Sequence, residues 1–444
     1  MQYTEIGNTW TKLSLISSHA RRDRNLQFTS LAHLLDVEYL RGCYYSLNRN
    51  KAAGIDNVSW HEYGGNLDEN LEQLVSRLKR KKYTPKPARR VYIPKNETEM
   101  RPLGISALEN KIVERGIVGI LESIYEQDFL NCSYGFRRGR NCHQALKRLD
   151  ELIMFHPVNH IVEADIKGFF DNVNHEHLME FIRIRIADPT LLSLIGKFLK
   201  AGYVDAGLLV EPDAGTPQGS ILSPILANIY LHYVLDEWFE KTVKSHARGF
   251  CELVRYADDF VCAVQYADDA ERIERALKSR FIKYGLEIHP TTSRNITFGR
   301  FEKETAGKQN RKPNTFDFLG FTHYCTKSRK GKFKLGRKTS RKKYTAKCNA
   351  MNDWLSRIRN RCKAKVWWKT LAAKLRGHYQ YYGVSGNADA IVKFYRTTTK
   401  LVHKWLNRRS QKERMNWENL TEYLKHYPLP RPKIVHNFTL SGAR

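Results

Sequence analysis

The stretch ELVRYADDFVCAV, residues 252–264, constrains this chain more than any other. Short β-branched and aromatic runs flank Asp258 and Asp259, so the pair is expected at the tip of a β-hairpin. A tight turn there carries two adjacent carboxylates beyond the strand ends, where a metal ion can reach them. The tetrapeptide Tyr-Ala-Asp-Asp returns at 266–269, where it precedes AERIERALKSRFIKYGL, a long helical pattern. Asp268 is expected as the N-cap of that helix, Glu271 as its capping-box partner, and Asp269 in the first turn. The first pair is read as chemical and the second as structural.

Two carboxylates rarely suffice for metal-assisted phosphoryl transfer, so a third is expected from elsewhere. HIVEADIKGFFDNV, residues 160–173, reads as a strand that delivers Asp165 at its end, before the turn Lys167-Gly168. Asp171 is expected to cap the helix that begins around Asn174. A third piece is EPDAGTPQGSILSPILANIYLHYVLDEWF, residues 211–239. Gly215, Pro217 and Gly219 break regular structure there and let backbone approach a ligand, and Ser223-Pro224 reads as a helix start.

Lys and Arg number 75 against 46 Asp and Glu, a formal charge of +29 over 444 residues. Such an excess repels itself unless a polyanion offsets it, and nucleic acid is the leading candidate. The charge concentrates in KSRKGKFKLGRKTSRKKYTAK, residues 327–347, which holds eleven Lys or Arg and no acid. Gly331 and Gly336 suggest a mobile connector, and a domain boundary is expected near 327–345. No apolar run of about 18 residues occurs, so no membrane span is expected. The first residues lack signal-peptide order, and none of the eight cysteines forms a Cys-x-x-Cys pair. Reduced thiols and a cytoplasmic protein are expected.

Elsewhere, LAHLLDVEYLRGCYYSL (31–47) and NLDENLEQLVSRLKRKKY (66–83) read as helices, the second capped by Asn66 with Glu69. RRVYIPK reads as a strand ending at Pro94, and residues 346–440 read as wholly helical.

Taken in order, IPK…RPLGI (93–105), YGFRRGR (134–140), ADIKGFFDNV (164–173), GTPQGSILSPILANIYL (215–231), RYADDF (255–260) and FLGF (318–321) resemble the reverse transcriptases encoded by bacterial group II introns. KLRGHYQYYGVSG (374–386), KWLNRRS (404–410) and YPLPRP (427–432) resemble the thumb, or maturase, segment of that family. The resemblance implies an α+β right-hand polymerase: fingers and palm with antiparallel sheet, then an all-helical thumb. It divides the chain into an N-terminal extension and start of fingers (1–95), a fingers and palm domain (96–326), and a basic connector with the thumb (327–444). It also implies two Mg²⁺ ions held by Asp165, Asp258 and Asp259, with the backbone carbonyl of Ile166 as an extra ligand. Lys95, Arg101, Phe170 and Gln218 match nucleotide-binding positions, Phe170 lying where it would clash with a 2′-hydroxyl. Phe318, Leu319 and Gly320 match the primer grip. From the charge run, Lys338, Arg341, Lys342 and Lys343 are expected to bind RNA.

The implied partners are group II intron RNA, an RNA template with a DNA primer, dNTPs and target DNA, with no membrane. The implied function is assisting the splicing of the intron RNA and copying it into DNA during retrohoming, by two-metal-ion nucleotidyl transfer. An intron-less reverse transcriptase working in repair or defence, and a splicing cofactor with dispensable polymerase, stay open as alternatives. The chain departs from the family where GLEI (285–288) is followed by HPTTSRN: Thr292 stands where a lysine near the triphosphate is expected, and Arg294 or His289 could substitute. Arg138 and Asn174 are further departures, and the HNH nuclease of many relatives, with its cysteine pairs, is not expected here.

Overall fold

Helix Leu108–Tyr125 is apolar around most of its circumference and buries Ile112, Val113, Ile117, Ile120, Leu121 and Ile124. A helix with so little polar face has to sit inside other elements. The computed structural model describes residues 7–94, 99–211, 213–289, 293–328, 330–408 and 415–438. They divide into two units. One comprises 1–142, 162–262 and 268–295, and the other 143–161, 263–267 and 296–444.

In the first unit, strands Met100–Ile105, Ala88–Pro94, Tyr203–Asp205 and Leu208–Val210 lie side by side in that order. The pair 88–94 and 100–105 is antiparallel, with Arg101 opposite Ile93. The 31–47 segment is a single 3₁₀ turn, Ala32–Leu34, followed by helix Val37–Ser46; Asp36 interrupts it by accepting from the Tyr39 amide at 2.8 Å. Asn66 does precede helix Leu67–Lys79, but its side chain makes no capping bond, because its backbone (φ −126°, ψ 49°) departs from the extended cap geometry. The reciprocal box forms one helix earlier, between Ser59 and Glu62.

The second Tyr-Ala-Asp-Asp also corrects the expectation. Its helix runs Ala267–Lys283, so Asp268 lies inside the first turn and is not the cap. Asp268 meets the Arg248 guanidinium at 3.1 Å. Asp269 is buried and accepts from the amides of Arg248 and Gly249 at 3.2 and 3.0 Å, and pairs with Arg272. Burial alone would raise its pKa, but these donors outweigh it and hold the carboxyl below the usual range. The pair is structural, as read, but through these contacts and not through a capping box.

In the second unit, strands Phe333–Thr339, Phe321–Lys327 and Thr315–Phe318 form an antiparallel sheet in that order. The basic run is therefore folded, and the expected connector is absent from its described residues. Residues 333–339 pair with 321–327, and helix Arg341–Ile358 starts immediately after Ser340. Gly336 lies against the Tyr324 ring, at a strand position where a Cβ would come within 2.4 Å of that ring. Arg337 of the same run is buried and ion-paired to Asp150.

Helices Ala364–Tyr382, Ala388–Asn407 and Trp417–His426 follow. The expectation of helix to residue 440 fails after His426, where Pro428, Pro430 and Pro432 cannot sustain a helical ladder. That segment instead crosses helix 364–382, accepting from Trp368 Nε1 and the Tyr379 hydroxyl through the carbonyls of Tyr427 and Pro430, both at 3.1 Å. Among the described residues no helix is long and apolar enough to cross a membrane.

Candidate active site

The strands Cys251–Tyr256 and Asp259–Val264 are joined by the two residues Ala257 and Asp258; the hairpin is as expected from sequence, but only Asp258 lies beyond the strand ends, Asp259 being the first residue of the second strand. Ala257 has φ of 58° while Asp258 does not share the positive sign, the pattern of a turn whose first central residue is usually glycine. The strand order across the sheet is 251–256, 259–264, 160–165, 294–297. The Asn159 amide donates to the Val264 carbonyl at 2.9 Å, and antiparallel counting from that pair places Asp165 opposite Asp258. Burial, and then the Asp165 charge, raise the pKa of Asp258; a backbone hydrogen bond to its own carboxylate, and after it Arg101 and Arg255, oppose the shift without cancelling it. Asp165, Asp258 and Arg101 thus share one electrostatic neighbourhood. Among the described residues no three His, Cys, Asp or Glu side chains close a cation cage.

The carboxylate turn is held from beneath by Arg255, which is wholly buried. Its guanidinium donates to Asp236 at 2.7 and 2.5 Å, to Asn228 Oδ1 at 3.1 Å, to Ser133 Oγ at 2.8 Å and to the Ala257 carbonyl at 2.9 Å. Burial alone would lower its pKa; the Asp236 carboxylate more than offsets this, so the group stays charged. Asp236 reaches it from a π-helical turn, His232–Asp236, that continues helix Ser223–Leu231. The Cys132 carbonyl and Tyr134 amide bond the Arg255 backbone at 2.8 and 2.9 Å. Gly135 then abuts the turn so closely that a Cβ would come within 2.3 Å of the Ala257 nitrogen. Sequence reading missed Arg255 and Asp236. The available signal was a lone cation next to the apolar Leu253-Val254 of a strand, which demands a buried partner.

The Gly-Thr-Pro-Gln-Gly loop is fixed by backbone bonds at both ends. Gly215 and Thr216 donate to the Val173 and Phe170 carbonyls at 2.8 and 2.7 Å, and the Gln218 carbonyl accepts from Gly104 at 2.6 Å. Gly219 has φ of 112°, and a Cβ there would lie 2.4 Å from the Gly104 oxygen, so only glycine fits. Glu114, buried in helix 108–125, accepts from Ser106, Ser220 and the Ile221 amide at 3.1, 3.0 and 2.7 Å, and burial raises its pKa despite those bonds. Ser223 does not cap its helix as expected: its hydroxyl donates to the Pro217 carbonyl at 2.9 Å and braces the loop.

Of the expected nucleotide-binding residues, Gln218 donates to Asp171 at 3.2 and 3.3 Å. Asp171 is therefore not the helix cap; Asn174 takes that role, accepting from the His177 amide at 3.0 Å. Phe169 is buried core, whereas Phe170 is half-buried and meets the ring of Phe136 edge-on, centroids 6.4 Å apart. Arg101 is exposed near Asp258. Lys95 and Thr292 lie outside the described residues. Arg294 pairs with Glu163 at 2.9 Å, and the His289 amide bonds the Asp165 carbonyl at 2.8 Å. Ile166 is buried and bridged to Ile288.

In the second unit, Phe318 is buried and Leu319-Gly320 form the turn of a hairpin, both with positive φ (49° and 79°). The Leu319 carbonyl accepts from the Tyr381 hydroxyl at 3.0 Å. Lys338 is an exposed strand residue, and Arg341, Lys342 and Lys343 occupy the exposed first turn of helix 341–358.

Residues 93–323 match the family described as reverse transcriptase (RNA-dependent DNA polymerase), just over half of the chain. A group II intron-encoded protein, LtrA, of Lactococcus lactis subsp. cremoris is 41% identical over 228 residues, 50% of this chain and 37% of that protein. Protein YkfC of Escherichia coli is 35% identical over 243 residues, 48% of this chain and 63% of its own length. A putative COX1/OXI3 intron 1 protein of Saccharomyces cerevisiae is 35% identical over 180 residues, 40% of this chain and 21% of its own. The chain thus spans less than two thirds of the length of each of these relatives. With the paired carboxylates, the Asp165 strand end and the glycine-braced Gln218 loop inside the matched span, the chain belongs to the reverse transcriptase family.

Proposed function

We propose that this chain is an RNA-directed DNA polymerase of the group II intron type, which binds intron RNA, assists its splicing and copies it into DNA. The observation that carries the reading is Asp165 set opposite the Asp258 turn, with Arg101 in the same field. Asp165, Asp258, Asp259 and the Ile166 carbonyl would hold Mg²⁺. That ion completes its shell with substrate phosphates and water. When bound, it would supply charge neutralisation at the reacting phosphate. Arg101 would offer its planar fork to the triphosphate, with Lys95 as a second cation. Gln218 would line the nucleotide pocket and Phe170 would lie under the sugar. The 318–320 hairpin turn would grip the primer. The same reading assigns residues 96–326 to fingers and palm, after an extension at 1–95, and 327–444 to the thumb.

Extension of a DNA primer on an RNA template with Mg²⁺ tests this reading, and absence of dNTP incorporation by the wild type would refute it. Phe170→Ala is expected to admit ribonucleotides, raising the single-turnover ratio of rNTP to dNTP incorporation on the order of tenfold or more, the scale of a lost steric discrimination. An unchanged ratio would assign Phe170 to packing alone.

The RNA-binding part rests on charge placement. Arg341, Lys342 and Lys343 stand in a first helical turn, where the macrodipole already disfavours cations. A polyanion at that face offsets both costs. Neutralising Lys338, Arg341, Lys342 and Lys343 together is expected to flatten the plot of log affinity for structured RNA against log salt by about three units of slope. An unchanged slope would place the RNA contact elsewhere.

A further inference from the structure

Phe136 combines three properties that ordinary packing does not explain. Its φ is 57°, in the left-handed region that bulky side chains avoid. The residue is 50% exposed. Its neighbours leave the backbone no freedom to relax. The Gly135 carbonyl accepts from Asn228 at 2.8 Å, and Gly135 itself abuts Ala257. On the other side, Arg137 is buried, donating to Glu126 at 3.1 and 3.0 Å and to the Leu130 and Ser133 carbonyls at 2.7 and 3.0 Å. A strained conformation that the surroundings over-determine, at the mouth of a site, points to a role in that site.

The location narrows the role. Phe136 touches Phe170 edge-on at 74°, and Phe170 lies five residues after Asp165. The residue before Phe136 contacts the turn that carries Asp258. The ring thus lies beside Phe170, one residue from the contact with the Asp258 turn. An aromatic face suits a sugar or base and gives nothing to a phosphate; because every base has a π-face, such a contact tolerates sequence. We propose that Phe136 and Phe170 together form an aromatic wall of the nucleotide pocket, and that Phe136 contacts the sugar and base of the incoming nucleotide. This rests on the polymerase reading above.

Glycine at position 136 removes the ring and also removes the strain, so function and stability are expected to move in opposite directions. Phe136→Gly is expected to keep or raise the thermal unfolding midpoint while raising the KM for dNTP roughly tenfold, the scale of one lost stacking contact. Phe136→Tyr, which keeps the ring, is expected to hold KM near wild type, and Phe136→Ala to lose it as glycine does. A lower midpoint with unchanged KM in Phe136→Gly would show that the ring is only packing, and the proposal falls. An unchanged KM in Phe136→Ala overturns it equally, should the glycine variant fail to fold. A wild type that makes no DNA removes the polymerase reading and this one together, whereas an active wild type with ring-independent KM removes this one alone.

Discussion

Asp258→Ala is expected to lower primer extension by at least about 10³-fold while the protein remains folded. The activity loss follows from removing one of the carboxylates that would hold Mg²⁺ at the reacting phosphate. Stability should hold because Asp258 costs the fold free energy: burial and the facing Asp165 charge both oppose its ionised form. Alanine removes that cost, so the unfolding midpoint is expected to stay level or rise. Asp259→Ala is expected to act likewise on activity. Asp268→Ala, which removes only an exposed contact with Arg248, serves as the comparison and is expected to retain activity. Extension rates and melting curves for the three variants decide the matter. Activity within tenfold of wild type in Asp258→Ala, or loss in Asp268→Ala with the fold intact, would reverse the assignment of the two aspartate pairs.

The first aspartate pair was legible because its signal is local. Two apolar strands and a two-residue gap specify a hairpin, and the turn fixes where the carboxylates go. Asp171 was misread because its spacing from a helix start also looks local, while its partner, Gln218, lies across a loop. The basic run was misread for a related reason. Counting charges and glycines hides the alternation in FKLGRKT, where Lys334 and Lys338 are exposed while Leu335, Arg337 and Thr339 are buried, and only Gly336, covered by the Tyr324 ring, departs from it. A period of two marks a strand even when half its residues are cationic. Arg255 and Asp236 stand 19 residues apart and meet only through a π-helical turn, which no sequence period announces. Phe136 lies within the YGFRRGR stretch, but neither its left-handed φ nor its exposure can be read from one sequence.

The Arg255–Asp236 pair allows stability and activity to be separated. Arg255→Met leaves Asp236 buried without its counter-charge, and Asn228, Ser133 and the Ala257 carbonyl lose their donor. The expected loss is about 3–5 kcal/mol of stability. Activity is expected to fall about 10²-fold in the fraction that folds, because a shift near 1 Å in a positioned group costs that much. Adding Asp236→Leu removes the orphaned charge and fills its space with apolar atoms, so the double variant is expected to recover much of the lost stability. It cannot recover the bond to the Ala257 carbonyl, so the turn that carries Asp258 stays unanchored and extension stays slow. Denaturant unfolding and primer extension on the two variants separate these effects. Full activity in the stabilised double variant would show that Arg255 acts only as the partner of a buried acid. Persistent inactivity in a stable fold assigns it to holding the catalytic turn.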